Sequence, residues 1–145
     1  MNEARYFIIP GEPQGKGRPR FMKNGHAYTP SKTAAYESII RACYLAKYKG
    51  EPFPKDTALC ITIMAVFQPP KSTPKKWLAR MLENVIRPIK KPDIDNVAKV
   101  IMDGLSGNCY YDDKSIVELH VYKIYGEESR VEVCVREADG AYLPK

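Results

Sequence analysis

Histidine and tryptophan are nearly missing from this chain, with two of the first and one of the second among 145 residues. Neither His26 nor His120 has the partners that a histidine-metal hydrolytic site requires, so both read as surface or strand residues. Cysteine is scarce and scattered: Cys43, Cys60, Cys109 and Cys134 form no CxxC or Cys/His spacing of the kind that binds zinc, and read as reduced core residues. No apolar run is long enough to span a bilayer, and the N-terminus lacks the length and small-residue cleavage site of a secretory signal. The expectation is a cytoplasmic protein that does not enter a membrane. Internal repeats and low-complexity tracts are also lacking, and 44% hydrophobic content over 145 residues suits one domain with one core.

Positive charge, by contrast, is plentiful. Lysine and arginine outnumber aspartate and glutamate by 23 to 17, a net charge of +6 that favours an anionic partner such as nucleic acid. Tyr6-Phe7-Ile8-Ile9 reads as a first strand ended by Pro10-Gly11, and residues 11–20 form a Gly/Pro-rich basic loop too polar for the core, with Lys16, Arg18 and Arg20. Asn24-Gly25 between Phe21-Met22 and His26-Ala27-Tyr28 signals a hairpin. Ser31 is placed to cap a long helix that repeats Ala35, Ile39, Ala42, Cys43 and Ala46 at near-helical intervals and stops at Gly50. Tyr36, Tyr44 and Tyr48 on the same helix suit either a core or a subunit contact.

Residues 59–67 are apolar on both alternating faces, as a central strand should be. Thr73-Pro74 opens a short helix carrying Trp77, Leu78 and Met81; a third starts near Asp93, buries Ile94, Val97, Ala98, Ile101 and Leu105, and ends at Gly107-Asn108. Val117, Leu119 and Val121, then Val131, Val133 and Val135 around a turn at Gly126, predict a terminal hairpin, with residues 138–145 as a frayed tail. These elements amount to an α+β (mixed α/β) fold: a single small domain with a mixed sheet of four or more strands and about three helices packed against it.

The residues that packing does not require are Lys90-Lys91-Pro92-Asp93-Ile94-Asp95-Asn96-Val97-Ala98-Lys99 and, beyond the helix, Asp112-Asp113. Asp93, Asp95 and Asp113 are hard oxygen donors of the kind Mg²⁺ takes, alongside waters and substrate phosphates, and the adjacent lysines would meet those phosphates. Each aspartate taken singly could be a helix cap or a turn residue, and Asp95, Lys99 and Asp103 could be an ordinary salt-bridged helix face. Capping accounts for neither the basic run upstream nor Lys99 one turn inside. A lysine on a helix also differs from the nuclease pattern in which an acid and a lysine lie two apart on one strand. The competing reading is a non-catalytic basic nucleic-acid-binding protein.

The pattern Asp-x-Asp-Asn-x-x-Lys at residues 93–99, then Asp103-Gly104-Leu105 and Tyr111-Asp112-Asp113 before a strand, resembles the RusA family of Holliday junction resolvases. Gly11-Glu12-Pro13 and Arg18-Pro19-Arg20-Phe21 look like the opening of one branch of that family. The resemblance implies a RusA-like endonuclease domain over residues 1–145 that nicks branched DNA symmetrically, leaving 5′-phosphate and 3′-hydroxyl ends. It implies Mg²⁺ on Asp93, Asp95 and Asp113, with Asp112 next to the site, and Lys99 at the scissile phosphate. Lys16, Arg18, Arg20, Lys90 and Lys91 would bind DNA. A homodimer is implied too, matching the two-fold symmetry of a four-way junction.

Overall fold

A computed structural model describes residues 4–139. Its chain order is β1 (Arg5–Pro10), β2 (Arg20–Phe21), β3 (Ala27–Tyr28), α1 (Ser31–Lys47), β4 (Leu59–Phe67), α2 (Lys75–Leu82), α3 (Ile94–Leu105), β5 (Ile116–Tyr125) and β6 (Arg130–Glu137). A 3-10 turn, Asp113–Ser115, leads into β5. Four strands form one sheet in the order β1-β6-β4-β5, while β2 and β3 make the small Asn-Gly hairpin. The fold is therefore the expected α+β domain with a mixed four-stranded sheet and three helices. No helix among the described residues is long and apolar enough to cross a membrane.

The central position of β4 follows from its two apolar faces. Leu59, Ile61, Ile63, Ala65 and Phe67 enter the core with Ile40 and Tyr44 of α1 and Val97, Ile101 and Leu105 of α3, whereas Cys60, Thr62 and Met64 alternate onto the opposite face. The two helices approach closely enough that a Cβ on Gly104 would lie 3.0–3.2 Å from Ile40.

Several sequence expectations need correction. The last two strands are not a hairpin: β5 runs parallel to β4, β6 runs antiparallel to it, and β4 lies between them. A strand apolar on both faces gains more by pairing on both edges than β5 and β6 would gain from each other. The link crosses the end of β4, where Gly126 N–H donates to Phe67 C=O and Gln68 N–H to Ser129 Oγ. A Cβ on Gly126 would lie 2.5 Å from Val66 Cγ1, a fully buried side chain. Gly126→Ala is expected to destabilise the fold by about 1–3 kcal/mol through overpacking, measured by chemical denaturation.

Ser31 does not cap α1; Pro30 holds that position without a side-chain hydrogen bond. The hydroxyl that matters is Thr33 Oγ1, which accepts from Gly17 N–H. The buried stripe of α1 is Thr33, Tyr36, Ile40 and Tyr44, while Ala35, Ile39, Ala42 and Ala46 face solvent. Tyr36 and Tyr44 are therefore core residues and give no subunit contact. Tyr44 packs edge-on against Phe7, and the Tyr48 hydroxyl accepts from Tyr6 N–H and donates to Tyr6 C=O, covering the free edge of β1. On α3, Ile94 is exposed and Val100 and Gly104 take its place in the buried stripe. Ala138 is not frayed: it is buried, and its N–H donates to Ala58 C=O. The rest of the expected tail beyond Asp139 lies outside the described residues.

Candidate metal and DNA site at the start of helix α3

The basic loop at residues 11–20 is packed down, contrary to expectation. Pro13 is buried, residues 14–17 are half-buried, and Lys16 N–H donates to Asn96 C=O in the first turns of α3. Two glycines make this possible. A Cβ on Gly15 would meet Pro92 Cβ at 2.8 Å, and one on Gly17 would meet Thr33 Oγ1 at 2.6 Å, so the loop threads between the starts of α3 and α1 only without side chains there.

Threading carries Lys16 inward. Its Nζ lies 2.6 Å from Glu37 Oε2 on α1 and 3.1 Å from Asp103 Oδ2 on α3. The other Asp103 oxygen, Oδ1, lies 3.1 Å from Lys99 Nζ, which is also 3.7 Å from Asp113 Oδ2. A continuous series Glu37, Lys16, Asp103, Lys99, Asp113 thus joins α1, the loop, α3 and the turn before β5. Asp103, which reads in the sequence as an ordinary surface charge, bridges two lysines. Glu37 carries no sequence signal for its part; Asp103 is foreshadowed by its i+4 relation to Lys99 and by its place in the Asp103-Gly104-Leu105 motif.

Both lysines are held in the charged form. Burial works against the charge of Lys16, but hydrogen bonds to Glu37 and Asp103 outweigh it and raise its pKa. For Lys99 the hydrogen bond to Asp103 is the leading cause of a raised pKa, with Asp113 adding to it. Because both folded-state values lie above the ordinary 10.5, their stabilisation is complete at neutral pH and is lost only as pH rises through the raised values. Lys99 is accordingly a fixed positive charge at neutral pH and not a general base.

The aspartates divide into two kinds. Asp112 caps the 3-10 turn, its Oδ1 accepting from Lys114 N–H at 3.0 Å, and that bond lowers its pKa. Asp113 instead faces Lys99. Asp93 occupies the N-cap position of α3 without a side-chain cap bond, and the expected Asp95–Lys99 pair does not form. Neither the Asp93 nor the Asp95 carboxylate has a hydrogen-bond or ion-pair partner among the described residues, and both are exposed. Both carboxylates are therefore free to take a ligand.

These donors suit a hard cation. They are all carboxylate oxygens, two of them unengaged, as Mg²⁺ prefers. The three carboxylates of Asp93, Asp95 and Asp113 do not form a closed cage, because the one such set of ligand atoms within 4.8 Å of each other among the described residues is elsewhere. A closed cage is not needed for an ion that normally keeps waters and takes substrate phosphate oxygens as ligands.

Beside Asp93 opens a groove of about 950 Å³ whose lining includes Lys16, Arg18, Arg20, Lys32 and Lys91. Arg18, Arg20 and Lys91 have no carboxylate partner among the described residues, so their charges are available to phosphates. Lys90 is partly engaged, 3.7 Å from Glu12 and stacked over the Phe67 ring. The segment before it is anchored on the edge of β5, with Arg87 Nε donating to Lys123 C=O and Lys123 Nζ to Lys90 C=O. Ile89 stands 98% exposed within this basic run, a feature that composition could not reveal.

With this arrangement in place, comparison with known proteins is decisive. The family described as endodeoxyribonuclease RusA matches residues 10–136. The chain belongs to the RusA family. A Bacillus subtilis (strain 168) protein described as the uncharacterized protein YqaN is 36% identical over 137 residues, covering 90% of this chain and 94% of the relative. RusA membership supports an endodeoxyribonuclease, and the matched region includes the threaded loop, α3 and the Asp112-Asp113 turn.

Proposed function

We propose that this RusA-family chain is a Mg²⁺-dependent, structure-selective endonuclease that resolves four-way DNA junctions by paired symmetric nicks. It serves recombination and repair in the cytoplasm and acts as a homodimer. The observation that carries the reading is the pair of unpartnered carboxylates, Asp93 and Asp95, beside the Lys99–Asp113 contact and the cationic groove.

Asp93, Asp95 and Asp113 would hold Mg²⁺, which when bound supplies Lewis acidity and an acidified water. The chain's own residues do the rest. Lys99, held charged by Asp103, adds positive charge next to the attacked phosphorus, where negative charge builds up on the phosphate oxygens. Arg18, Arg20 and Lys91 hold the strand by its phosphates and fix its register against Asp93. In-line attack by water leaves a 5′-phosphate and a 3′-hydroxyl. One carboxylate centre per chain makes one nick, so two subunits on a two-fold axis are needed for the symmetric pair. Light scattering at micromolar concentration without DNA should give the mass of a dimer.

The direct test is nicking of a synthetic four-way junction in Mg²⁺ against linear duplex of the same sequence. Junction-selective, Mg²⁺-dependent nicks with ligatable ends are expected; binding with no cleavage would leave only a DNA-binding protein. Alanine at Arg18, Arg20 and Lys91 together should weaken junction binding. Its log–log salt dependence should flatten by about 0.9 for each phosphate no longer neutralised.

A further inference from the structure

The set of ligand atoms that does converge lies on the other face of the sheet. Cys60 Sγ, a Glu118 carboxylate oxygen and a His120 ring nitrogen are all within 4.8 Å of one another, and His120 Nε2 is 3.6 Å from Glu118 Oε2. We propose that Cys60, Glu118 and His120 bind one divalent cation of borderline softness, Zn²⁺ before others, clamping the edge strand β5 to β4.

Strand register builds this cluster. Leu59 pairs with Ile116, but a bulge makes Cys60 pair with Glu118, passing over Val117, and Thr62 then pairs with His120. In unbroken register Glu118 would sit opposite Ile61 and point with it toward the helices, since cross-strand partners share a face. The bulge turns Glu118 and His120 onto the face of Cys60 instead, and sets Leu119 and Val121 opposite Ile61 and Ile63 on the helix-covered face, where Val121 packs against the core. Burial of Val121 and Tyr125 against the core favours that shift. The same shift aims Glu118 and His120 toward Cys60.

The chemistry is distinct from that of the carboxylate centre. A thiolate, an imidazole and a carboxylate select Zn²⁺ over Mg²⁺, and bond lengths of about 2.0–2.3 Å place tetrahedral ligands roughly 3.3–3.8 Å apart, so closure needs shifts on the order of 1 Å. Thiolate and carboxylate together neutralise the ion. Arg136, paired with Cys60 across β6, is already engaged by Asp139 and by Glu137 C=O. Glu118 and His120 are 40% and 47% exposed, which gives the ion an entry path and a water in the fourth position. The clamp would stiffen β5 just downstream of Asp113.

The test is titration of the untagged full chain with Co²⁺ under a metal-free reductant, followed by displacement with Zn²⁺. One equivalent should bind with a thiolate-to-cobalt charge-transfer band that Zn²⁺ abolishes and Mg²⁺ does not. Zn²⁺ at a hundredfold excess over its Kd should raise Tm by roughly 5–10 °C. His120→Ala, at an exposed side chain, and Cys60→Ser should each lose the band and weaken binding about 10–100-fold or more. Asp95→Asn and Asp113→Asn should retain both. No charge-transfer band in the wild type, or equal binding by His120→Ala, overturns the proposal. Loss of binding in Asp95→Asn would place the ion in the carboxylate centre and overturn it equally. None of these readouts depends on DNA cleavage, so the clamp and the nuclease reading stand or fall separately.

Discussion

Asp95→Asn is expected to cleave a four-way junction at least about 10²–10³-fold more slowly than wild type, the scale for losing one group that stabilises a transition state electrostatically. It should bind the junction as tightly or more tightly. The reason lies in the environment of Asp95: an exposed carboxylate on the first turn of α3 with no partner among the described residues, so the fold does not depend on it. Removing its charge forfeits only the favourable interaction with the helix N-terminus, about 0.3–1 kcal/mol, and relieves repulsion from DNA phosphates. Single-turnover cleavage in Mg²⁺ and binding in Mg²⁺-free buffer separate the two effects. Nicking at the wild-type rate by Asp95→Asn and Asp113→Asn would sink the metal-site assignment.

Lys16→Met should lower stability by about 2 kcal/mol, between the value of an exposed pair and that of breaking a buried one. For a chain of this size that is a fall of about 4–8 °C in Tm. The side chains of Lys16, Glu37 and Asp103 are 20%, 17% and 24% exposed, so removing the cation leaves two poorly hydrated carboxylates facing each other across α1 and α3. Cleavage should fall as well, because Asp103 fixes Lys99 through its other oxygen. Adding Glu37→Gln should recover much of the stability by removing one of the opposed charges. An unchanged Tm with a salt slope reduced by about 0.9 would instead make Lys16 a free phosphate ligand.

The contrast between Lys16 and Arg18 shows where the sequence stops being informative. Both read as cations of one solvated loop, yet Gly15 and Gly17 allow the backbone to pass between Pro92 and Thr33, so Lys16 turns into the protein while Arg18 keeps its charge available. Asp112 and Asp113 are likewise adjacent and identical in type. The 3-10 turn assigns one to a backbone amide and the other to Lys99. Local sequence names such residues without saying which way they point, because direction is set by what packs against the segment.

By itself the sequence determined the element types, the central strand and the acidic and basic residues at the start of α3. Each of these depends on patterns within one segment: alternation for β4, helical spacing for α3, and spacing across a single helix and loop for the carboxylates. Tertiary structure alone decided the order of the strands, the tyrosine face of α1 and the joining of Glu37 and Lys16 to the site. It also decided that Cys60 and His120, which lack any zinc-like spacing in the chain, lie across a strand pair from each other with Glu118. Pairing β4 with β5 through a bulge places residues distant in sequence within ligand reach, and periodicity within one segment says which face a residue takes but not which residue of the neighbouring strand lies opposite it.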